Sequence, residues 1–286
     1  MMPGENHKNG IAGHLFQLFQ AFSLDVVVGS LAMGFFAVQL LHVHPNPWWW
    51  LVLALSVWVV YTGDHLLDGF QRKQAATMFR HRIHYRFRYL FMVVLLLAAL
   101  SAVVLTRVFL DSRIFLGGLA LGLAALVYLG LVYLARKRGF YFQKELVISL
   151  FYVAGIWLAP VIWQGSSFSY VLITGVAILF LLAWAEGLIM ACFEHEYDSV
   201  DKTHSFSTFY GLARTKKLSA VLLISALTFS LVVAFFKPVF QSEFILLAVL
   251  SALLMLLLIF PSFFKQKGRY RVLGEFSFWL PFVLMI

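Results

Sequence analysis

The stretch YVLITGVAILFLLAWAEGLIMACFEHEYDSVDK, Tyr170 to Lys202, decides how this chain is read. From Tyr170 to Phe193 it carries no charge except Glu186, and it then turns acidic at Glu194, Glu196, Asp198 and Asp201 before Lys202. A helix needs about 20 apolar residues to cross the hydrocarbon core of a bilayer. The first part therefore reads as a membrane span, and the second as its polar exit. Six further uncharged runs of spanning length lie at Trp48 to Gly63, Tyr89 to Thr106, Ile114 to Ala135, Leu146 to Trp163, Leu218 to Phe236 and Phe244 to Phe264. A span near the N-terminus, Phe16 to Leu41, contains Asp25, and a short last one, Val272 to Ile286, contains Glu275. The expected fold is all-α, a polytopic bundle of about nine transmembrane helices forming one integral membrane domain over residues 1–286. Tyr170 to Phe193 is the sixth span in that order, and Trp48 to Gly63 the second.

Composition agrees. Of the 286 residues 62% are hydrophobic and 12% charged, whereas soluble domains run to roughly 25% charged. The single Cys192 excludes a disulfide framework and reads as a small core hydrophobe. The net charge of +9 could suggest nucleic acid, but its distribution assigns it to topology. Nineteen of the 22 lysines and arginines fall at the N-terminus or in the even-to-odd connections, and the other side holds Arg107, Arg113 and Lys237. Basic residues mark the cytosolic side, so the N-terminus is expected in the cytosol of a multi-pass protein of the inner (plasma) membrane, bacterial in type. The polar start, Met1 to Gly10, lacks the features of a cleavable signal. Pro45, Pro47 and Trp48 to Trp50 suit the opposite interface, where indole rings settle among headgroups.

Seven of the thirteen acidic residues lie in or beside the second and sixth spans. Asp64 and Asp68 end the second, about 40° and 6 Å apart on one helix face. Glu194, Asp198 and Asp201 end the sixth within an arc of about 60° if the helix continues. Four helices separate the two sites, so both stripes emerge on the same membrane face and can converge. Clustered carboxylates repel unless cations neutralise them, and Mg²⁺ suits because it takes oxygen ligands together with substrate phosphates. Arg72 and Lys73 follow the first stripe, Lys202 follows the second, and Lys144 opens the fifth span, which points to an anionic partner such as a diphosphate.

At this point the chain resembles the UbiA superfamily of membrane prenyltransferases, whose members carry two aspartate-rich motifs at the cytosolic ends of helices 2 and 6. The first motif reads Asn-Asp-x-x-Asp-x-x-x-Asp; here Asp64 and Asp68 match its last two aspartates, while Val60 and Tyr61 stand at the Asn and Asp. The second is met by Glu194, Asp198 and Asp201 with Lys202, and with Thr208 downstream. The aspartate-rich segments are thus 60–73 and 194–208. The resemblance implies a bundle around a lipid-accessible cavity that transfers a polyprenyl group from polyprenyl diphosphate to a lipophilic, usually aromatic, acceptor. By the same resemblance Asp64, Asp68, Asp198 and Asp201 are the catalytic acids, these four with Glu194 hold Mg²⁺, and Lys73, Arg80, Lys144 and Lys202 bind the diphosphate.

Asp25 and Glu186 fall inside spans, where a carboxylate is a functional candidate by default; Glu186 could orient an acceptor or take its proton. Arg80 to Arg88 suits anionic headgroups, at about 1 kcal/mol per basic residue. His195 points away from the second stripe and reads as structural. No zinc spacing or phosphate loop is present. Two other readings stay open: a transporter, motivated by Asp25 and Glu186, and a non-catalytic isoprenoid-binding homologue, motivated by Val60 and Tyr61.

Overall fold

The computed structural model describes residues 18–72, 79–137, 143–165, 169–201 and 205–284. Lys73 and Lys202, two of the expected diphosphate ligands, lie outside them, as do the side chains of Asp68 and Arg80. The described residues form helices without a strand: α1 (Leu24–Leu41), α2 (Pro47–Arg72), α3 (Phe79–Arg86), α4 (Arg88–Phe109), α5 (Ser112–Lys137), α6 (Lys144–Gln164), α7 (Tyr170–Val200), α8 (Phe206–Tyr210), α9 (Leu212–Phe236), α10 (Gln241–Ile259), α11 (Pro261–Lys265), α12 (Arg269–Ser277) and α13 (Leu280–Leu284). Eight segments are long and apolar enough to cross a bilayer, and they correspond to the first eight expected spans.

The ends of the chain differ from expectation in two places. The first span does not run unbroken from Phe16, because Ser23 takes a left-handed conformation (φ 56°) and α1 starts after it. Asp25 then sits in the first turn of α1, where the N-terminal end of the helix dipole favours a negative charge. The stretch expected as a ninth span is two short helices, α12 and α13, parted at Phe278 and Trp279. Trp279 donates from Nε1 to the Asp25 carbonyl (3.0 Å) and stacks on Phe276 at 4.0 Å, so this aromatic break is docked on the start of α1. Neither half reaches the length that a crossing needs.

The long α7 lies at the middle of the bundle, packed against α6, α9 and α10. Phe36, Leu40, Ile156, Leu179, Leu182, Leu188, Leu223, Leu247 and Leu250 form the main core with it. By contrast α4 and α5 display rows of exposed leucines and valines, among them Leu96, Leu97, Leu123 and Leu126. Large exposed apolar faces of this kind mark contact with lipid or a partner, and here they run along spanning helices. Lipid is as apolar as leucine, so helix association depends on close packing and on small residues at crossings. Gly175 meets Leu40 and Trp157 this way, and Gly34 lies against Trp49 and Leu53. Serine and threonine hydroxyls in the spans return to the carbonyl one turn back, as Ser230 does to Ala226 and Ser251 to Leu247.

A Cβ on Gly34 would stand 3.0 Å from both the Trp49 and Leu53 side chains, while one on Gly122 would meet nothing within 4 Å. Overpacking costs about 1 to 3 kcal/mol. Gly34→Leu should therefore lower the melting temperature in detergent by several degrees, and Gly122→Leu should leave it unchanged.

Candidate functional site

The two carboxylate stripes emerge at the same end of the bundle, with the N-terminus of α6 between them. Lys144, the first residue of α6, donates from Nζ to Asp64 Oδ2 at 2.7 Å and so ties α6 to α2. A cation in the first turn of a helix opposes the dipole, and the partly buried Asp64 carboxylate offsets that. The next residue, Glu145, has the charge this helix end favours. Its Oε1 accepts from the Phe206 amide at 2.8 Å, and its Cβ lies 3.5 Å from the point where Gly187 of α7 would carry one. One turn of α6 therefore contacts α2 at Asp64, α7 at Gly187 and the start of α8 together.

On α7 the angular arithmetic holds. Glu194 and Asp198 are buried, while Glu196 is exposed and meets Lys265 at the surface. Asp201 is the C-terminal cap residue of α7. His195 reaches Ser207 Oγ at 3.1 Å, and Ser207 donates to the Ala191 carbonyl, which agrees with a structural histidine. Thr208 closes a capping box with Ser205 at the start of α8. That box satisfies two amides that the helix itself leaves open.

Arg271 was legible in the sequence only as a topological charge, and the structure gives it a place in the site. Its Nη2 donates to Glu194 Oε1, its Nε to the Tyr270 hydroxyl, and Tyr270 stacks flat on Phe193 at 4.6 Å. Burial works most strongly against the Arg271 charge, but Glu194, Tyr270 and Glu275 together outweigh it and raise its pKa. In the segment Arg82 to Arg88, Arg86 lies over Phe87, and Arg88 over Tyr85 and Tyr89. The short α3 is held to the first stripe through His84, which faces His65 edge-on at 5.6 Å and stacks on Phe91 at 4.2 Å.

Among the described residues no three His, Cys, Asp or Glu side chains are grouped closely enough to hold a metal ion by themselves. What the described residues bring together is Asp64 with Lys144 on one side and Glu194 with Arg271 on the other. Deeper in the bundle Glu186 lies near Gly274 of α12, within electrostatic range of Tyr61 and Tyr152.

An all-α polytopic membrane protein with paired acidic helix ends is thus the class that fold and site define. The sequence matches no family profile and no curated protein. Solved structures do match in fold. A UbiA homologue from Aeropyrum pernix K1 in its apo form aligns with a TM-score of 0.62 and 11% identity, over 91% of this chain and 96% of that one. A UbiA homologue from Archaeoglobus fulgidus bound to GPP and Mg²⁺ aligns at 0.60 and 15%, over 94% and 98%. A structure described as digeranylgeranylglyceryl phosphate synthase in membranes aligns at 0.53 and 14%, over 96% and 99%. The chain has the fold of these UbiA homologues.

Removing one partner of a fully buried ion pair strands the other charge and costs about 3 to 5 kcal/mol, and the partly buried Arg271–Glu194 pair should show a smaller loss of the same kind. Arg271→Met should lower the melting temperature in detergent far more than Glu196→Gln does. The double variant Glu194→Gln with Arg271→Met should recover most of the loss.

Proposed function

We propose that this protein is a prenyltransferase, moving a polyprenyl group from polyprenyl diphosphate to a lipophilic or aromatic acceptor inside the membrane, with Mg²⁺ as cofactor. The carrying observation is that the first turn of α6 joins Asp64 at the end of α2, through Lys144, to α7 at Gly187 and to the start of α8 just beyond the α7 acidic end, through Glu145, in a UbiA-like fold. The donor set suits Mg²⁺, since all of it is carboxylate oxygen. Mg²⁺ ordinarily takes one or two carboxylates together with the substrate's phosphate oxygens and needs no preformed protein cage.

In this reading Asp64, Asp68, Asp198 and Asp201 hold the metal, and Glu194, already neutralised by Arg271, completes the set one turn deeper. Bound there, Mg²⁺ would supply positive charge to the departing diphosphate. Lys144 stands where it can exchange its Asp64 partner for a phosphate oxygen, and Lys73, Arg80 and Lys202 add cations from neighbouring segments. Fixed charges aimed at a group that gains negative charge accelerate its departure most in a site closed to water. The prenyl chain extends into the bundle or the lipid beside it, where α4 and α5 are apolar. The basic face is the cytosolic one, which puts the N-terminus in the cytosol, and the whole of residues 1–286 acts as one membrane domain.

Replacing Asp64, Asp68, Asp198 or Asp201 by Asn keeps shape and removes charge. Because the metal's share is worth several kcal/mol and each 1.36 kcal/mol is tenfold in rate, each variant should lose prenyl transfer by at least about a hundredfold. Glu196→Gln, on the outer face of α7, should stay within about twofold. Release of diphosphate from a polyprenyl diphosphate, measured beside melting temperature, is the readout; full activity in all four Asn variants would defeat the assignment.

A further inference from the structure

The carboxylate site makes no use of the arginines at the corner where α3 passes into α4. Arg82 and Arg86 of α3 are exposed and one helical turn apart, and the half-buried Arg88 opens α4. Among the described residues none of these three guanidiniums meets a carboxylate. The contacts of Arg86 and Arg88 are with neutral groups. Arg86 lies 5.5 Å from the centre of the Phe87 ring, and Arg88 lies 4.8 Å from that of Tyr85 and 4.6 Å from that of Tyr89. Arg88 Nη1 also donates to the Tyr85 carbonyl at 3.2 Å. Such contacts orient a guanidinium without cancelling its charge. Lys265, at the same end of the bundle, differs in that Glu196 already answers it.

From this corner an apolar face runs the length of α4. Leu90, Val93, Leu97, Leu100, Val104 and Val108 are each more than half exposed. At 100° per residue they share an arc of about 80°, and at 1.5 Å per residue they extend over about 27 Å, close to the roughly 30 Å of a bilayer's hydrocarbon core. Tyr89, 70% exposed and next to Leu90 in the chain, stands at the head of this face with the Arg88 guanidinium over its ring. The arginines and the face belong to one continuous piece. At the break between the helices Phe87 N donates to the Ile83 carbonyl and Phe91 N to the Phe87 carbonyl, both at 3.0 Å, and His84 stacks on Phe91 at 4.2 Å.

Charge decides what covers this face, since its occupant must bring negative charge to the arginine end and aliphatic length to the rest. A second copy of the chain lacks that complement. Copies inserted the same way in one membrane and related by a two-fold axis present the same patch to each other. Arginine would then face arginine at equal depth, and like charges repel more strongly where water is scarce. An anionic phospholipid has both parts in the required order: guanidinium forks fit phosphate oxygens, and basic residues near the membrane surface attract anionic headgroups. We propose that the α3–α4 corner and the exposed face of α4 form a docking site for an anionic phospholipid, its phosphate held by Arg82, Arg86 and Arg88 and an acyl chain laid along Leu90, Val93, Leu97 and Leu100. This site is separate from the carboxylate ends, and it stands whether or not the protein transfers prenyl groups.

The test uses the full-length protein in a neutral detergent with two photoreactive phospholipids, phosphatidylglycerol and phosphatidylcholine, that share a diazirine-bearing acyl chain. The second has the same phosphate with a choline cation attached, so it lacks the net charge that the arginines select. In the wild type the anionic lipid should label residues 89–104 at least fivefold more than the zwitterionic one. Arg82→Gln, Arg86→Gln and Arg88→Gln together should bring that ratio within twofold. Lys265→Gln, Lys267→Gln and Arg269→Gln together remove as much charge from another connection at the same end of the bundle, and should leave the ratio above fivefold. The wild-type comparison decides the matter even if a variant folds poorly. Equal labelling of α4 by the two lipids in the wild type overturns the inference, as does a ratio that persists in a folded arginine variant or falls as far in the control. A dimer whose α4 is shielded from both lipids overturns it too, and would give the face to a second copy of the chain.

Discussion

The structure depends on a constraint set by the solvent: a hydrocarbon interior tolerates a charge only where another group answers it. With 62% of its residues hydrophobic and 12% charged, this chain confines nearly all its ions to helix ends and connections. Several of these are matched by partners from distant segments. Asp64 meets Lys144 across 80 residues, and Glu194 meets Arg271 across 77. These pairs do two things at once, fixing α6 and α12 to the acidic helices and concentrating opposite charges at one end of the bundle.

A site assembled in this way has a gradient built into it. At the membrane face stand the aspartates, with lysine and arginine among them, suited to a multiply charged anion and a hard cation. Further in the charges thin out, and Tyr61, Tyr152 and Glu186 take their place within electrostatic range of one another. Beyond that, Leu179, Leu182 and Leu223 close the core. Such an order matches the parts of an amphiphilic substrate, with an ionic head, a reactive carbon and an apolar tail. The exposed apolar rows of α4 and α5 supply the lipid contact that a long tail requires.

How much of this could be read from the sequence follows from what each feature depends on. The eight spans were legible because length and lack of charge are local properties, and the inward turn of Glu194 and Asp198 against the outward turn of Glu196 follows from 100° per residue alone. The last span was not legible as a break, since Phe278 and Trp279 are apolar and their docking against the start of α1 is tertiary. Nor was the place of Asp25, which depends on the left-handed Ser23. Arg271 looked like any other basic residue in a connection, because nothing local announces a partner 77 residues away. Tyr61 read as a lost aspartate, whereas in the structure it lies within electrostatic range of Glu186 and Glu275.

The claim that the acidic ends and the diphosphate share a metal is tested most directly by the coupling between their ligands. Calorimetry of wild-type protein with a non-hydrolysable prenyl diphosphate, in Mg²⁺ and in chelator, measures that coupling, and linkage requires it to be reciprocal. Mg²⁺ should raise the affinity for the analogue at least tenfold, and the analogue should raise the affinity for Mg²⁺ by the same factor. Equal affinity for the analogue in Mg²⁺ and in chelator would contradict a metal bridge between Asp64, Asp68, Asp198, Asp201 and the substrate.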